Sequence, residues 1–270
     1  MSVENGSERP TQNHPSFSVE TSSRSYPVYV DWGVLGNIGN YISSIGNYRS
    51  AFIVTDANIS IPYAEVVESS LRSVNIKAET YVIPAGEVSK NLGMAEEIYS
   101  WLSKHRCERG DLVVALGGGV VGDLAGFVAA TFLRGVDVIQ VPTSLAGMVD
   151  SSIGGKTGIN NKYGKNLIGS FYNPDLVISD INLLKSLPKR EIVCGYGEIL
   201  KHSIISKRKI FNFLNKNKFK ILKLQSPYIE KAISDSCKIK RSIVQLDEKE
   251  KNIRKVLNLG HTFAHAYEAT

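Results

Sequence analysis

The segment spanning residues 111–166 constrains the fold most strongly, because a buried strand, a triple-glycine turn and an apolar helix follow one another within it. Residues 111–116 are apolar and β-branched, as in a central strand of a parallel sheet. Residues 117–122 then match G-x-G-x-x-G, in which glycine permits positive φ and lets a pyrophosphate approach backbone N–H groups. A helix over residues 120–133 points its positive end at that phosphate. The same turn also occurs without a ligand, so the motif alone leaves dinucleotide binding open.

Strand and helix patterns alternate through the first two-thirds of the chain, which predicts an α/β fold with a parallel sheet covered by helices on both faces. The predicted strands are residues 26–30, 51–55, 78–83, 111–116, 136–141 and 176–179, and the predicted helices are residues 34–44, 63–74, 90–105 and 120–133. Ligands of such sheets bind beyond the carboxyl ends of the strands. We therefore expect Asp56, Gly86–Glu87 and the triple glycine to converge.

Five further side chains in this part of the chain suggest a functional role. Asp123, directly after the turn, either caps a helix or reaches a ribose hydroxyl, and Asp137 has the spacing of a ribose-binding acid but falls inside a strand pattern. A second glycine-rich stretch, predicted as a loop, carries Lys156 together with Lys165 and Asn166. Cationic and amide donors of this kind suit a phosphorylated substrate.

The pattern changes after about residue 187, where helical periods continue without a convincing strand. We predict a Rossmann-like, dinucleotide-binding α/β domain over residues 25–180 and an all-α domain, incomplete at its C-terminus, over residues 181–270. Residues 1–24 are polar and lack an apolar stretch, which indicates a disordered tail and no secretory signal. The basic stretch 207–223 is explained by an amphipathic helix with a solvated cationic face.

Composition excludes several classes of protein. The chain has 270 residues and a formal charge of +6, from 32 basic and 26 acidic residues, which suits small anionic ligands and falls short of a nucleic-acid-binding surface. Three cysteines, Cys107, Cys194 and Cys237, lie outside any C-x-x-C motif, as a reducing cytosol permits. We therefore expect a cytoplasmic protein that binds a small molecule, with neither nucleic acid nor membrane as a partner.

The helical part contains residues typical of a metal site. His261 and His265 are four residues apart, which places both imidazoles on one helix face, where they bind zinc together or divide metal binding and proton transfer. The alternative is that both are surface histidines without a metal, because such pairs occur at the same spacing. Glu198 lies in an otherwise apolar helical stretch, where a carboxylate is costly unless it binds metal or pairs with a base such as Lys201.

Taken together, these motifs resemble the 3-dehydroquinate synthase family, sugar phosphate cyclases that use NAD and a divalent metal. The resemblance extends from about residue 26 to residue 270. It rests on several motifs in the same order along the chain: GEVSK at 86–90, the turn at 117–123, PTS at 142–144, DSSIGGKTG at 150–158, GKNLIG at 164–169, GEILK at 197–201 and LNLGHTFAH at 257–265.

The resemblance implies a role for each matching position. NAD is held by Asp56, Asn58, Glu87, Lys90, Gly118, Gly119, Val120 and Asp123, with Thr143, Ser144 and Lys165 near the nicotinamide. Substrate contacts come from Arg134, Asp150, Lys156, Asn166, Lys201, Lys240, Arg254 and Asn258. The metal, Zn²⁺ or Co²⁺, is bound by Glu198 and His261. Catalysis involves Glu250 and His265 in proton transfer, assisted by Lys156, Lys201 and Arg134.

The implied reaction converts 3-deoxy-D-arabino-heptulosonate 7-phosphate to 3-dehydroquinate and phosphate, the second step of the shikimate pathway to chorismate and aromatic amino acids. It is a lyase reaction in which NAD oxidises the substrate transiently, phosphate leaves by β-elimination, the ketone is reduced again and an intramolecular aldol closes the ring. Members of the family are commonly homodimers. A sister cyclase, a metal-dependent polyol or glycerol-phosphate dehydrogenase, and a folded module without activity remain alternatives.

The sequence departs from the family pattern at three places. Gly197 replaces a usual alanine, and a usual glycine is absent near Asn252. The family's third metal ligand is a histidine beyond Thr270, where this sequence ends. We therefore expect a fragment that binds zinc weakly and turns over poorly.

Overall fold

The computed structural model describes residues 14–260, in which nine strands and seven α-helices are assigned. The strands are β1 Phe17–Glu20, β2 Ser25–Asp31, β3 Ser50–Asp56, β4 Lys77–Ile83, β5 Leu112–Gly117, β6 Asp137–Pro142, β7 Lys156–Asn161, β8 Gly164–Phe171 and β9 Leu176–Asp180. The helices are α1 Ile38–Ile45, α2 Glu65–Ser73, α3 Leu92–Lys104, α4 Gly119–Thr131, α5 Lys189–Ile204, α6 Arg208–Leu222 and α7 Tyr228–Leu246.

Seven of the strands form one sheet in the order β1-β2-β9-β6-β5-β3-β4. Strand β1 is antiparallel to β2, and the other pairs are parallel. The interior strand β5 is buried along its whole length, because helices cover both faces of the sheet. The predicted α/β fold with a parallel sheet is therefore confirmed, and a helical part follows it.

The order of the strands creates a crevice at the carboxyl edge of the sheet. The chain continues from β3 outward to β4 but from β5 in the opposite direction to β6, so the topology switches between β3 and β5. The register aligns Asp56 with Ile83, and Gly117 with Pro142. Loops after β3, β4, β5 and β6 consequently meet at one edge, where open α/β sheets bind their ligands.

The triple-glycine turn joins β5 to α4, as predicted, but for a different physical reason. None of the three glycines has positive φ; Gly118 is extended, with φ −73° and ψ −171°. Gly117 is required for space, because a Cβ there would lie 2.5 Å from a methyl group of Val121. The missing side chains keep strand and helix in close contact and expose backbone N–H groups at the helix N-terminus.

Two expectations about irregular segments are wrong. The tail predicted over residues 1–24 includes β1, in which Phe17 and Val19 are buried against the sheet and alternate with polar residues, the period of a half-buried strand. The glycine-rich stretch predicted as a loop is an antiparallel hairpin of β7 and β8. Its strands are rich in glycine and asparagine, which strands generally disfavour, so their composition conceals them.

Helices α5, α6 and α7 pack on one another, and α7 packs against β1 and β2 of the sheet. Buried side chains of all three helices, among them Ile199, Leu214 and Ile233, belong to the same hydrophobic cluster as Val28 and Val177 of the sheet. The boundary between two domains near residue 180 remains a prediction. Within residues 14–260, no helix has both the length and the apolar content needed to cross a bilayer.

Candidate functional site

A cavity of about 570 Å³ lies between the carboxyl edge of the sheet, the β7–β8 hairpin and the segment that follows α7. Side chains from all three regions line it, and eight of them are positions singled out from the sequence. These are Asp123, Asp150, Lys156, Asn166, Lys240, Glu250, Arg254 and Asn258. The structure therefore brings together residues that are up to 135 positions apart, from 123 to 258.

Lys90 connects the glycine turn to the hairpin. It is 4% exposed, and its Nζ donates to Asp123 Oδ2 and to Asn166 Oδ1, both at 2.5 Å. Burial raises the pKa of Asp123, and the neighbouring ammonium of Lys90 opposes that shift. Asn166 has a left-handed backbone, with φ 58°, and its N–H donates to Asn160 Oδ1 at 2.8 Å. The hairpin is thus held over the N-terminus of α4.

The remaining nucleotide-binding candidates surround the same edge of the sheet. Asp56 ends β3 and accepts a hydrogen bond from Asn58 N at 2.8 Å, and Thr143 N donates to Gly117 O at 2.9 Å. Gly118 and Gly119 begin α4 with Val120, next to Ser144 and Ser151.

Glu87 and Lys90 line a second, more open groove of about 460 Å³, where Asn160 Nδ2 donates to Glu87 Oε1 at 2.7 Å. Lys165 is exposed on β8.

The buried Lys240 forms an ion pair with the partly exposed Asp150, and both line the cavity. Lys240 Nζ donates to the Asp150 carboxylate and, at 2.6 Å, to its backbone carbonyl. Burial disfavours the ionised carboxyl of Asp150, but the charges of Lys240 and Lys201 outweigh it and lower the pKa of Asp150. Burial also lowers the pKa of Lys240, and Asp150 opposes that shift.

Glu250 faces the cavity from the loop after α7. Its backbone is left-handed, with φ 53°, and its carboxylate pairs with Lys156 and accepts from Asn258 Nδ2 at 2.7 Å. Partial burial opposes ionisation, but hydrogen bonds from Lys156 and Asn258 lower the pKa of Glu250. The carboxylate is ionised at neutral pH and can accept a proton.

Arg254 is the most deeply buried cation of the cavity, at 1% exposure. Its Nη1 donates to Glu248 O and its Nη2 donates to Gly154 O at 2.8 Å. Both of these acceptors are carbonyl oxygens, and burial lowers the pKa of Arg254. A buried cation with mainly carbonyl partners is an attractive site for an anionic ligand.

A group of possible metal ligands adjoins this cavity. Asp150, Glu198 and His202 each present one ligand atom, and these atoms lie within 4.8 Å of one another. Glu198 also forms an ion pair with Lys201, the alternative considered from the sequence. Carboxylate oxygens and an imidazole nitrogen form a donor set that suits Zn²⁺ or Co²⁺.

His202 is the member of this group that sequence reasoning missed. It is fully buried; its Nδ1 lies 2.7 Å from Ser236 Oγ, and its Nε2 has no hydrogen-bond partner in the described part of the chain. Burial lowers the pKa of His202 to about 4, so the imidazole is neutral and has a lone pair available. Its position four residues after Glu198 on α5 was the available signal.

Some predicted residues do not join the cavity. Arg134 is exposed in the turn after α4, with φ 68°, about 20 Å from the N-terminus of that helix at 1.5 Å per residue. Asp137 begins β6 at the opposite edge of the sheet, where it accepts a hydrogen bond from Tyr48 Oη at 3.0 Å. It is therefore not placed as a ribose-binding acid. His261 and His265 lie outside the described residues.

Comparison with known proteins finds family models and relatives that carry the same description. Residues 80–194 match the family model described as 3-dehydroquinate synthase N-terminal, and residues 195–270 match the model described as 3-dehydroquinate synthase C-terminal. A 3-dehydroquinate synthase of Pelagibacter ubique is 50% identical over 256 residues, covering 94% of this chain and 69% of that protein. One from Desulforamulus reducens is 44% identical over 254 residues, covering 94% of this chain and 71% of that protein.

Solved structures of cyclases have the same fold. A 2-epi-5-epi-valiolone synthase from Streptomyces hygroscopicus with NAD⁺ and Zn²⁺ bound is 26% identical, with a TM-score of 0.83, covering 92% of this chain and 69% of that chain. A 2-deoxy-scyllo-inosose synthase complexed with carbaglucose-6-phosphate, NAD⁺ and Co²⁺ is 23% identical and also has a TM-score of 0.83. The match covers 94% of this chain and 68% of that chain. An iron-containing alcohol dehydrogenase from Thermotoga maritima, 18% identical with a TM-score of 0.68 and covering 89% and 77%, shares the fold more distantly.

Proposed function

Because this chain belongs to the 3-dehydroquinate synthase family, we propose that it converts 3-deoxy-D-arabino-heptulosonate 7-phosphate to 3-dehydroquinate and phosphate. The observation that carries this proposal is the single cavity in which Lys156, Lys240 and Arg254 meet Glu250 and Asp123. The first three are cations that a doubly anionic sugar acid requires, Glu250 is a proton acceptor, and Asp123 connects the cavity to the glycine turn.

The substrate carries a phosphate and a carboxylate, and the cavity offers separate partners for two anions. Lys156 and Asn166 lie on the hairpin, whereas Lys240 and Arg254 lie on the helical side and are nearly fully buried. Cations supplied by different elements orient an extended anion more strictly than one cationic patch, because each end of the ligand can have its own donors. Asn258 adds an amide donor close to Glu250.

NAD⁺ is proposed to bind at the carboxyl edge of the sheet, with its pyrophosphate against Gly118, Gly119 and Val120. The support is the helix N-terminus, which is partly accessible at residues 118–120, and the topological switch between β3 and β5. When bound, the nicotinamide supplies reversible hydride transfer. The protein's own part is to hold substrate and cofactor together through the linked side chains of Lys90 and Asp123.

A divalent cation is proposed to be held by Glu198, with Asp150 and His202 within reach and His261 as the family-implied partner. A metal at this position supplies Lewis-acid polarisation of a substrate hydroxyl. Lys201, paired with Glu198, balances the charge of the carboxylates.

Glu250 is proposed to move protons, because it is ionised and contacts Lys156 and Asn258. Its carboxylate accepts a proton from the substrate. The Lys156 ammonium then stabilises the negative charge that develops on a nearby oxygen of the substrate. His265 is the family-implied second proton carrier. The roles of Arg134 and Thr143, Ser144 and Lys165 likewise follow from the resemblance, as do a cytoplasmic location and a homodimer.

The proposal is tested by phosphate release from the heptulosonate phosphate in the presence of NAD⁺ and Zn²⁺ or Co²⁺. A 3-dehydroquinate synthase releases one phosphate per 3-dehydroquinate and shows no net rise in NADH absorbance. A polyol or glycerol-phosphate dehydrogenase of the same fold accumulates NADH instead. A sister cyclase releases no phosphate from this substrate but does so from another sugar phosphate. Zinc titration in the same experiment tests the weak metal binding expected from the sequence.

A further inference from the structure

The turn between β1 and β2 is hydrogen-bonded to the loop that carries two charged side chains of the cavity. Ser22 Oγ and Ser23 Oγ donate to the carboxylate of Glu248, one to each oxygen. Asn173, which is buried, donates from Nδ2 to Glu248 Oε1 at 2.7 Å. A single carboxylate of loop 247–254 therefore has three donors from two segments that are distant in sequence.

The turn that supplies the serine donors is itself held in place. Thr21 N and Thr21 Oγ1 both donate to Arg24 O at 2.9 Å, and Arg24 N donates to Thr21 Oγ1 at 3.2 Å. Asn173 Nδ2 also reaches Thr21 Oγ1 and Ser23 Oγ, each at 3.1 Å. Its serine hydroxyls are thereby held beside Glu248, which makes this turn an anchor for the loop.

Further hydrogen bonds connect Glu248 to the residues of the loop that line the cavity. The backbone oxygen of Glu248 accepts from Arg254 Nη1, whose neighbour Nη2 donates to Gly154 O at 2.8 Å. The carboxylate of Asp247 closes the loop by accepting three backbone N–H groups of the same loop, at 2.6 to 3.1 Å. Glu250, held at φ 53°, lies between these two fixed points.

We propose that Glu248 is a positioning residue, which ties loop 247–254 to Ser22 and Ser23 so that Glu250 and Arg254 face the cavity. Glu248 does not itself line that cavity. Partial burial opposes its ionisation, but hydrogen bonds from Ser22 and Ser23, followed by Thr21 and Asn173, lower the pKa of Glu248. The effect on catalysis rests on the proposed function, whereas the effect on loop order does not.

The test compares Glu248→Ala with Lys249→Ala in the 270-residue chain. Lys249 is the exposed neighbour in the same loop and is a matched control. Hydrogen exchange of the amides of residues 249–256 is expected to accelerate at least about tenfold in Glu248→Ala and to stay within about twofold in the control. Glu248→Gln, which keeps one acceptor oxygen, is expected to fall between them.

Kinetics give the second readout. Glu248→Ala is expected to lower kcat for phosphate release at least about tenfold, because Glu250 and Arg254 lose their fixed geometry. The double variant Ser22→Ala/Ser23→Ala is expected to lower kcat as well, but to add less than about twofold when introduced into Glu248→Ala, because both changes break the same contact.

Two results would overturn the proposal. One is a Glu248→Ala variant whose amide hydrogen exchange in residues 249–256 and whose kcat both stay within about twofold of the wild-type values. The other is equal acceleration of exchange in the loop and in β5, which would mean global destabilisation. If the wild-type chain releases no phosphate, the proposed function fails, and the exchange measurement alone decides the role of Glu248.

Discussion

Lys156, on the first strand of the β7–β8 hairpin, forms an ion pair with Glu250 in the loop after α7. The pair joins two walls of the cavity across a sequence separation that no local pattern reveals. It also joins a predicted substrate contact to a predicted proton acceptor, and the hydrogen bond and charge of Lys156 help to lower the pKa of Glu250.

Replacing Lys156 by Met is expected to move the acid limb of the pH dependence of kcat/KM to higher pH. Lys156 and Asn258 keep the pKa of Glu250 below its ordinary value despite partial burial. Without the ammonium that pKa rises, so the carboxylate is protonated, and lost as a base, at a higher pH. At neutral pH kcat/KM is expected to fall at least about tenfold, or ~1.4 kcal/mol of transition-state binding. Lys238→Met, at an exposed position of α7, is the control. An unshifted acid limb would show that Glu250 is not the titrating base.

Replacing Lys90 by Met is expected to destabilise the fold by about 3 kcal/mol at pH 8, because it leaves the Asp123 carboxylate buried without its ammonium partner. Burial already raises the pKa of Asp123, and the loss of Lys90 raises it further. The folded state of the variant then binds a proton more tightly than the unfolded state, so the deficit shrinks as pH falls. Urea unfolding at pH 8 and pH 5 measures the loss of unfolding free energy at each pH. Lys77→Met, at an exposed position, is the control. A deficit independent of pH would contradict the explanation.

Replacing Glu198 by Gln is expected to abolish stabilisation by Zn²⁺. A ligand that binds only the folded state stabilises it by about 2.7 kcal/mol at one hundred times its Kd. Glu198 is the carboxylate of α5 in the proposed metal site. Glu191→Gln, exposed in the first turn of the same helix, is the matched control and is expected to keep the full stabilisation. Thermal unfolding with and without Zn²⁺ measures the effect, and equal shifts in both variants would place the metal elsewhere.

The sequence predicted the sheet well, because β-branched strands such as β3 and β5 are buried on both faces and have a strong apolar signal. The hairpin was not predicted because its glycines, which strands generally disfavour, allow its two strands to approach closely: a Cβ on Gly169 would lie 2.2 Å from the backbone oxygen of Thr157. His202 and Glu248 were missed for a different reason. Their importance depends on partners that only the tertiary structure supplies, Ser236 and Asp150 for His202, and the β1–β2 turn for Glu248.

Replacing Gly154 by Ala is expected to damage both the fold and the site, because two independent constraints meet at this residue. Its φ is +92°, a conformation that L side chains rarely adopt, and an added Cβ would lie 2.6 Å from Nη2 of Arg254. Relief of the clash displaces the guanidinium that faces the cavity. We expect a loss of about 2 kcal/mol in unfolding free energy from strain and overpacking, together with a rise in KM for the heptulosonate phosphate. Gly36→Ala, where an added Cβ meets nothing within 4 Å, is the control and is expected to preserve KM. If Gly154→Ala loses stability but keeps the wild-type KM, Arg254 does not bind the substrate.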